Sequence, residues 1–104
     1  MSFKVVYITA PNMTEAKSLG QQLVEEGLCA CVNILPQMKS IYRWKGIMAH
    51  ENEVVLLAKT TQARVKSLMK RVEELHSYDT PCALVLPIEK ASKGYGDWLS
   101  EQLK

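Results

Sequence analysis

Two stretches of the chain repeat the same order of apolar and polar positions. An apolar run at residues 5–8 is followed by a Lys-Ser-Leu motif, and the same order returns 49 positions later, from residue 54. Each copy continues into a second apolar run, at residues 29–34 or 82–88. The alternation of strand-like and helical periods predicts two βαβ units, with both helices on one face of a small sheet.

The sequence carries a start signal and a stop signal for the first helix. A strand at residues 4–9 stops at Pro11, and Asn12 with Glu15 has the spacing of a capping box. Gly27 is a typical C-cap. The apolar face of the segment consists of Ala16, Leu19, Leu23 and Val24.

The middle of the chain predicts a long β-hairpin. The second strand covers residues 28–45, and Pro36 marks a bulge in it because proline cannot donate a ladder hydrogen bond. A turn starts at Lys45 and ends near residues 50–52, and the third strand covers residues 53–59. With about 15 residues a side at about 3.3 Å per residue, the arm would extend ~50 Å, beyond the cover of a domain of this size.

Five apolar side chains of this arm would lie largely in water. They are Ile41, Tyr42, Trp44, Ile47 and Met48. Exposed apolar patches of this kind mark association surfaces. We therefore expect the arm to pair with other copies of the chain.

The remaining segments complete the order βαββαβ and add a helix. The second helix is predicted at residues 61–75, a connector at residues 76–81 and the fourth strand at residues 82–87. Pro81 excludes helix from the connector. A short C-terminal helix is capped by Ser92. Its apolar stripe consists of Tyr95, Trp98, Leu99 and Leu103.

Composition limits the class of protein and its partners. A chain of 104 residues can bury a core in one domain, residues 1–104. The formal net charge of +2 predicts neither nucleic acid nor an anionic membrane as a partner. The first residues lack the layout of a signal peptide, and no apolar stretch approaches about 18 residues. Three cysteines cannot all pair within one chain, which indicates a reduced, cytoplasmic protein.

Cys29 and Cys31 raise the question of a metal site. In a regular strand, positions i and i+2 stand ~6.6 Å apart, whereas two thiolates on one ion lie within ~4 Å of each other. The same separation strains a disulfide. Cysteine often packs as a small hydrophobe, so core packing is favoured over metal binding for this pair and, more strongly, for Cys82.

His76 has the most specific setting of the titratable residues. It follows the second helix, whose C-terminus favours an imidazolium, and Asp79 is close enough in sequence to orient the ring. Two interpretations remain open, a metal ligand and a cap that only hydrogen-bonds the last carbonyls. His50 and its glutamate neighbours are more simply a solvated turn.

No pattern typical of a catalytic site is found, so the protein is expected to be non-enzymatic. The sequence has no Ser-His-Asp context, no glycine-rich phosphate loop and no CxxC pair. The aromatic residues are interpreted first as core or interface anchors and second as pocket walls. They are Tyr42, Trp44, Tyr78, Tyr95 and Trp98. Lys59 ends an apolar strand, either as a lysine that reaches solvent or as a cleft lysine.

Several separated blocks carry a family resemblance. They are residues 9–11, 30–36 and 40–46, Glu53, residues 59–60 and 76–78, Pro81, and Tyr95 with Trp98. In this order and spacing, the chain resembles the divalent-cation-tolerance protein family, CutA. The resemblance implies a ferredoxin-like subunit, a homotrimer whose hairpins extend sheets across subunits, and the trimeric architecture of PII signalling proteins. It also implies tolerance to copper and other divalent ions, which members bind, and in eukaryotic relatives a link to acetylcholinesterase anchoring.

The chain departs from this family pattern at a few positions. The usual glutamate after the connector tyrosine is Asp79, the glutamate that commonly follows Pro81 is Cys82, and a usual glycine is Ala91. Some bacterial members carry a cysteine at the position of Ile8 and a histidine at the position of Leu75. A copper site built from those ligands would keep only His76 here.

We therefore expect an α+β, homotrimeric, cytoplasmic protein that binds divalent metal ions, Cu(II) foremost, with His76 and Asp79 as ligands. The alternative is a PII-like sensor that binds a small anionic ligand in a cleft between subunits. The walls of that cleft would be Lys59, Tyr42, Trp44, Tyr78 and Trp98. An RNA-recognition module shares the strand order but needs exposed aromatic residues on its central strands, and residues 54–57 offer none.

Overall fold

A four-stranded antiparallel sheet forms one layer of the protein, and two helices cover one of its faces. The computed structural model describes residues 2–103. The strands are β1 (Phe3–Ala10), β2 (Cys31–Trp44), β3 (Ile47–Thr61) and β4 (Ala83–Pro87). The helices are α1 (Met13–Glu25), α2 (Gln62–Leu75) and α3 (Lys93–Gln102).

The strand order in the sheet is β2-β3-β1-β4. The central strand β1 pairs antiparallel with β3 on one side and with β4 on the other. Each half of the chain contributes a strand, a helix and a second strand, as the internal repeat predicts. The α+β class with a ferredoxin-like βαββαβ order is confirmed.

The core lies between the sheet and the helices α1 and α2. Val6 pairs with Ala58 and Ile8 pairs with Leu56, so these side chains share the covered face. The main buried residues are Val6, Ile8, Ala10, Leu19, Leu23, Leu56, Ala58, Leu68 and Val72. Each large side chain among them contributes roughly 1.5–3 kcal/mol through burial.

The predicted ends of α1 are confirmed. The Asn12 Oδ1 accepts a hydrogen bond from the Glu15 N–H at 2.8 Å. Gly27 has a φ of 72°, and its N–H donates to the Val24 carbonyl while the Leu28 N–H donates to the Leu23 carbonyl. This pair of bonds is a Schellman motif, which needs the left-handed conformation that glycine adopts without strain.

The turn of the β2–β3 hairpin is tighter than the sequence predicts. Lys45 and Gly46 have φ values of 50° and 80°, and Trp44 pairs directly with Ile47. Two consecutive residues with positive φ form a turn that matches the twist of the strands. The expectation of a turn reaching His50 is therefore wrong, because residues 47–52 already belong to β3.

The bulge at Pro36 is confirmed by the strand register. Leu35 pairs with Val55, whereas the next pair is Met38 with Glu53, so Pro36 and Gln37 oppose a single residue of β3. We call the hairpin beyond this bulge, residues 38–53, the arm.

Apolar side chains of the arm and of the uncovered sheet face are exposed to solvent. On the arm, Ile41 is 65% exposed and Ile47 is 72% exposed. On β4, Leu84 and Leu86 are 57% and 48% exposed, and they pair with Tyr7 and Val5 of β1. The longest dimension of the chain is 45 Å, which reflects the projecting arm.

Helix α3 packs with only part of its predicted apolar stripe. Leu99 and Leu103 are buried, whereas Tyr95 and Trp98 are exposed. The Phe3 ring lies so close to Gly96 that a Cβ atom there would come within 3.2 Å of it. Ser92 occupies the N-cap position, but its side chain makes no capping hydrogen bond. None of the described helices has the length and apolarity to cross a membrane.

The three cysteines are free thiols. Cys29 belongs to the core, and burial raises the pKa of its thiol to about 12. Cys31 and Cys82 are half-buried. Core packing, the interpretation favoured from sequence for all three cysteines, is confirmed for Cys29 and is wrong for Cys31 and Cys82, which lie outside the core.

We predict that the stability of the protein does not depend on disulfides. A disulfide stabilises a fold mainly by restricting the unfolded chain, and free thiols apply no such restriction. Thermal unfolding followed by circular dichroism should therefore give the same midpoint with and without reductant. A midpoint that falls by several degrees in reductant would show that cysteines pair in solution.

Candidate functional site

An open groove lies between the arm and the connector, the segment of residues 76–82 that joins α2 to β4. It has a volume of about 1010 Å³. We call it the connector groove. Its walls carry three carboxylates, two sulfur-bearing side chains and four aromatic rings. These residues are Glu51, Glu53 and Asp79, Met38 and Cys82, and Tyr7, Tyr42, Trp44 and Tyr78.

The bulge decides which side chains of β2 line the groove. Before the bulge, Leu35 shares a face with Val55, and after it Met38 shares a face with Glu53. Because side chains alternate between faces along a strand, the extra residue exchanges the two faces of β2. Met38 and Tyr42 thereby come to the same side as the glutamates of β3.

Glu53 is the most enclosed charged residue of the groove. It is 7% exposed, and the Tyr78 hydroxyl donates a hydrogen bond to its Oε2 at 3.1 Å. Burial of the ring, followed by the hydrogen bond to the Glu53 carboxylate, raises the pKa of Tyr78 to about 12. The Tyr78–Glu53 bond ties the connector to the arm.

His76 fastens the connector to the rest of the fold. Its side chain is fully buried, its Nε2 lies 2.7 Å from the Thr9 carbonyl, and its Nδ1 accepts the Tyr78 N–H at 3.0 Å. Because Nδ1 accepts a hydrogen bond and Nε2 faces a carbonyl oxygen, the ring is assigned the tautomer with its proton on Nε2, which donates to Thr9. Both ring nitrogens are thus engaged in hydrogen bonds within the chain.

Helix α1 supports the connector through Glu15. The Glu15 carboxylate accepts the Ser77 N–H at 3.1 Å and lies 3.5 Å from the His76 Nδ1. The His76 and Tyr78 rings are in contact, with centroids 4.7 Å apart. Glu15, whose backbone N–H donates to the N-cap Asn12, therefore also fixes the start of the connector through its side chain.

The two expected metal ligands are not brought together within one chain. Asp79 lines the connector groove, whereas His76 is enclosed behind it. Across residues 2–103, no three His, Cys, Asp or Glu side chains converge closely enough to hold a metal ion. His50 is exposed on β3 opposite Ile41, in the arm and not in a turn.

The predicted cleft residues divide between two places. Tyr42, Trp44 and Tyr78 line the connector groove. Lys59 and Trp98 do not, because the Lys59 Nζ donates to the Tyr95 hydroxyl at 3.2 Å and the Tyr95 ring packs on Trp98 with centroids 5.4 Å apart. Within a single chain, the set does not form one cleft.

Sequence reasoning missed Glu53 as a groove residue. It placed this glutamate at the start of a strand, beside a solvated turn. The available signal was the alternation that puts Glu51 and Glu53 on one face of a longer strand. Tyr78, which donates the hydrogen bond to Glu53, lies 25 positions away in the sequence, and no local pattern reveals this contact.

We predict a pH dependence of stability that originates at Tyr78. The pKa is about 12 in the folded protein and 10.0 for an ordinary tyrosine. Between these values the unfolded chain binds fewer protons than the folded protein, so the free energy of unfolding should fall as the pH rises from 10 to 12. Urea unfolding across this range should show a shallower fall for Tyr78→Phe than for wild type.

Tyr95→Phe provides a matched control, because it removes a tyrosine hydroxyl that does not contact Glu53. Absorbance titration of tyrosinate should lose the transition near pH 12 in Tyr78→Phe, whereas Tyr42, whose pKa is also raised by burial and by the nearby Glu51 and Glu53, should keep its own transition. An unchanged titration curve in that variant would contradict the assignment.

Known proteins are similar to this chain over nearly its whole length. The family model for the CutA1 divalent ion tolerance protein matches residues 4–102. The divalent-cation tolerance protein CutA of Thermus thermophilus is 45% identical over 98 residues, which cover 94% of this chain and 95% of that protein. The chloroplastic CutA protein of Arabidopsis thaliana is 39% identical over 100 residues, which cover 96% of this chain and 55% of that protein.

A solved structure gives the same result in three dimensions. The crystal structure of CutA1 from Oryza sativa superposes with a TM-score of 0.96 at 35% sequence identity, covering 100% of this chain and 95% of that chain. The name of the matching family refers to tolerance of divalent ions and not to a reaction. The match includes the strands, the arm and the connector that build the groove, and the resemblance seen in the sequence is confirmed. The chain belongs to the CutA1 divalent ion tolerance family.

Proposed function

We propose that this protein contributes to metal-ion tolerance by binding divalent cations, copper foremost, in the connector groove. The observation that supports this function is the lining of the groove by Glu51, Glu53 and Asp79 with the sulfur atoms of Met38 and Cys82. Carboxylate oxygens attract divalent cations, and thiolate or thioether sulfur favours soft metal ions, of which copper in its reduced state and zinc are examples.

Asp79 and Glu53 are the groove residues that we propose as oxygen donors. The Glu53 carboxylate is oriented by Tyr78, and Asp79 is exposed at the groove wall. A thiol binds a metal ion after losing its proton, and burial, which raises the pKa of the Cys82 thiol, makes that loss less favourable. His76 reaches a metal ion only if the Tyr78 N–H leaves its Nδ1, and its contribution in the present geometry is to position the connector.

Additional donors are proposed to come from other copies of the chain. A specific copper or zinc site takes three or four donors, and fewer than three converge within the described residues of one chain. We propose a homotrimer, in which the exposed apolar residues of the arm and of β4 become buried. Exposed apolar surface of this extent supports self-association.

The same proposal describes a non-enzymatic protein of the cytoplasm. Three free thiols agree with a reducing compartment. Location varies within the family, since the Arabidopsis thaliana relative is named as chloroplastic.

The alternative, a small anionic ligand in the groove, has weaker support. The carboxylates of Glu51, Glu53 and Asp79 repel an anion and outnumber the one lysine among the described residues that line the groove, Lys39. Lys59 lies outside the groove beside Tyr95. Thermal shifts separate the two functions, because a ligand that binds only the folded protein raises its unfolding temperature. Copper should raise it if the groove binds cations, and nucleotides or organic anions should raise it in the alternative.

We predict that Asp79→Asn weakens Cu(II) binding by about tenfold, since a charge-assisted ligand contact is worth this much. Isothermal titration of tag-free protein should show the loss, and lowering the pH should weaken wild-type binding as donors gain protons. His50→Ala, on the exposed arm, is the control and should bind as wild type does.

His76→Ala distinguishes the groove from a site centred on the histidine. If only His76→Ala weakens binding and Asp79→Asn does not, the metal ion is bound at the imidazole. If wild type and both variants bind Cu(II) equally, the protein binds copper only at nonspecific surface positions and the proposed site is wrong.

We predict a mass in solution of about three times the chain mass of 11.7 kDa. Static light scattering at low micromolar concentration should give this value. Trp44→Asp should split the assembly, because a charge at a packed interface costs several kcal/mol. Lys66→Asp on the exposed face of α2 is the control and should stay trimeric. A monomeric or dimeric wild type would refute the proposal.

A further inference from the structure

The connector groove has room for much more than a metal ion. Its volume of about 1010 Å³ matches the upper end of the range for small-molecule pockets, which is about 300–1,000 Å³. Its lining includes the aromatic rings of Tyr7, Tyr42, Trp44 and Tyr78. Divalent metal ions take oxygen, nitrogen or sulfur donors, whereas aromatic rings attract apolar and cationic organic groups. The size and the rings of the groove therefore indicate an organic ligand.

The charge of the groove favours a cation. The described residues that line it include three carboxylates, those of Glu51, Glu53 and Asp79, and one lysine, Lys39. The Lys39 Nζ donates to the Asn52 Oδ1 at 2.6 Å, and Asn52 is not a lining residue. None of the ion pairs within residues 2–103 includes one of the three lining carboxylates. The protein therefore does not itself compensate the negative charge of the groove.

Glu53 gives an independent reason to expect a bound cation. It is 7% exposed, and the hydrogen bond that it accepts comes from the neutral hydroxyl of Tyr78. Burial of a carboxylate is unfavourable unless an opposite charge lies beside it. Among residues 2–103, no Lys, Arg or His nitrogen lies within salt-bridge distance of Glu53. A cation in the groove would supply the opposite charge.

Two of the aromatic rings lie beside these carboxylates. Ser40 pairs with Glu51, and Tyr42 lies two positions further along β2. Side chains two positions apart on a strand share a face, so Tyr42 stands on the same face of the arm as Glu51 and Glu53. Burial of the Tyr42 ring, followed by the charges of these two glutamates, raises the pKa of its hydroxyl, in agreement with this placement. Tyr78 reaches Glu53 from the connector. A cation at Glu53 therefore meets a ring from each wall of the groove.

We propose that the connector groove binds a small organic cation, an ammonium group carried on an apolar body. The ammonium group would donate hydrogen bonds to the carboxylates of Glu53 and Asp79. It would also lie against the rings of Tyr42 and Tyr78, whose faces attract a cation. This function goes beyond the proposed binding of metal ions, because it uses the rings and needs no metal. The two kinds of ligand would share Glu53 and Asp79 and would therefore exclude each other.

Three small molecules that share a phenyl ring and differ in charge test this site. Benzylammonium is the cation, benzyl alcohol is its neutral counterpart and benzoate is the anion. Each is titrated into the wild-type protein with a chelator present, and binding is followed by amide NMR. Benzylammonium should give saturable shifts concentrated at residues 51–53 and 77–80. It should bind about tenfold more tightly than benzyl alcohol, which lacks the charge-assisted hydrogen bonds, and benzoate should not bind. The chelator keeps metal ions out of the groove, so the result is independent of whether the protein binds copper.

Variants of the groove test the roles of the carboxylates and the rings separately. Asp79→Asn should weaken benzylammonium binding by about tenfold, because it removes a charged acceptor. Tyr42→Leu should weaken it by about threefold through the loss of the ring face, whereas Tyr42→Phe keeps the ring and should bind as wild type does. His50→Ala is the control, since His50 pairs with Ile41 on the other face of the arm, and it should leave binding unchanged.

Four results would overturn the proposal. They are an absence of saturable shifts with benzylammonium in the wild type, shifts that map outside the groove, equally tight binding of benzyl alcohol, and equal weakening by His50→Ala and Asp79→Asn. A groove filled by the arm of another copy of the chain would give the first of these results. Because the three molecules are compared on the wild type, a variant that fails to fold does not remove the test.

Discussion

The β-bulge at Pro36 and Gln37 is the constraint on which the candidate site depends. A regular ladder would keep one face of β2 throughout, and Met38 and Tyr42 would then point away from Glu53. The extra residue exchanges the faces, as the pairing of Met38 with Glu53 shows. The sheet therefore has two parts. On one side of the bulge it is packed against the helices, and on the other side the arm presents polar and aromatic residues to the connector.

The connector is held against this arm by hydrogen bonds from three separate elements. His76 bonds to the end of β1, Glu15 of α1 receives the next amide, and Tyr78 reaches Glu53 of β3. Such a network is satisfied only when all partners are present, so it fixes one geometry of the groove. Within one chain, His76, which the sequence predicts as a metal ligand, holds the connector against the end of β1.

Local signals in the sequence are sufficient to predict the helices and strands but not the tertiary contacts between them. Asn12, Gly27 and Pro36 each act on their immediate neighbours, so the ends of α1 and the bulge could be predicted. The sequence misplaces the end of the turn because the polar run after Ala49 resembles a loop, while nothing in the residue type of Lys45 indicates its positive φ. Lys59 and Tyr42 are both expected in a cleft between subunits, and within one chain the tertiary fold places them apart.

The bulge also affects how the exposed edge of the sheet behaves when copies of the chain meet. Strand β2 lies at the edge, and its 14 residues would offer a long template for open-ended strand addition. Pro36 removes one donor, and the bulge divides the edge into two shorter runs that twist differently. A stray strand can match only one run at a time, which disfavours fibrous aggregation relative to closed assemblies.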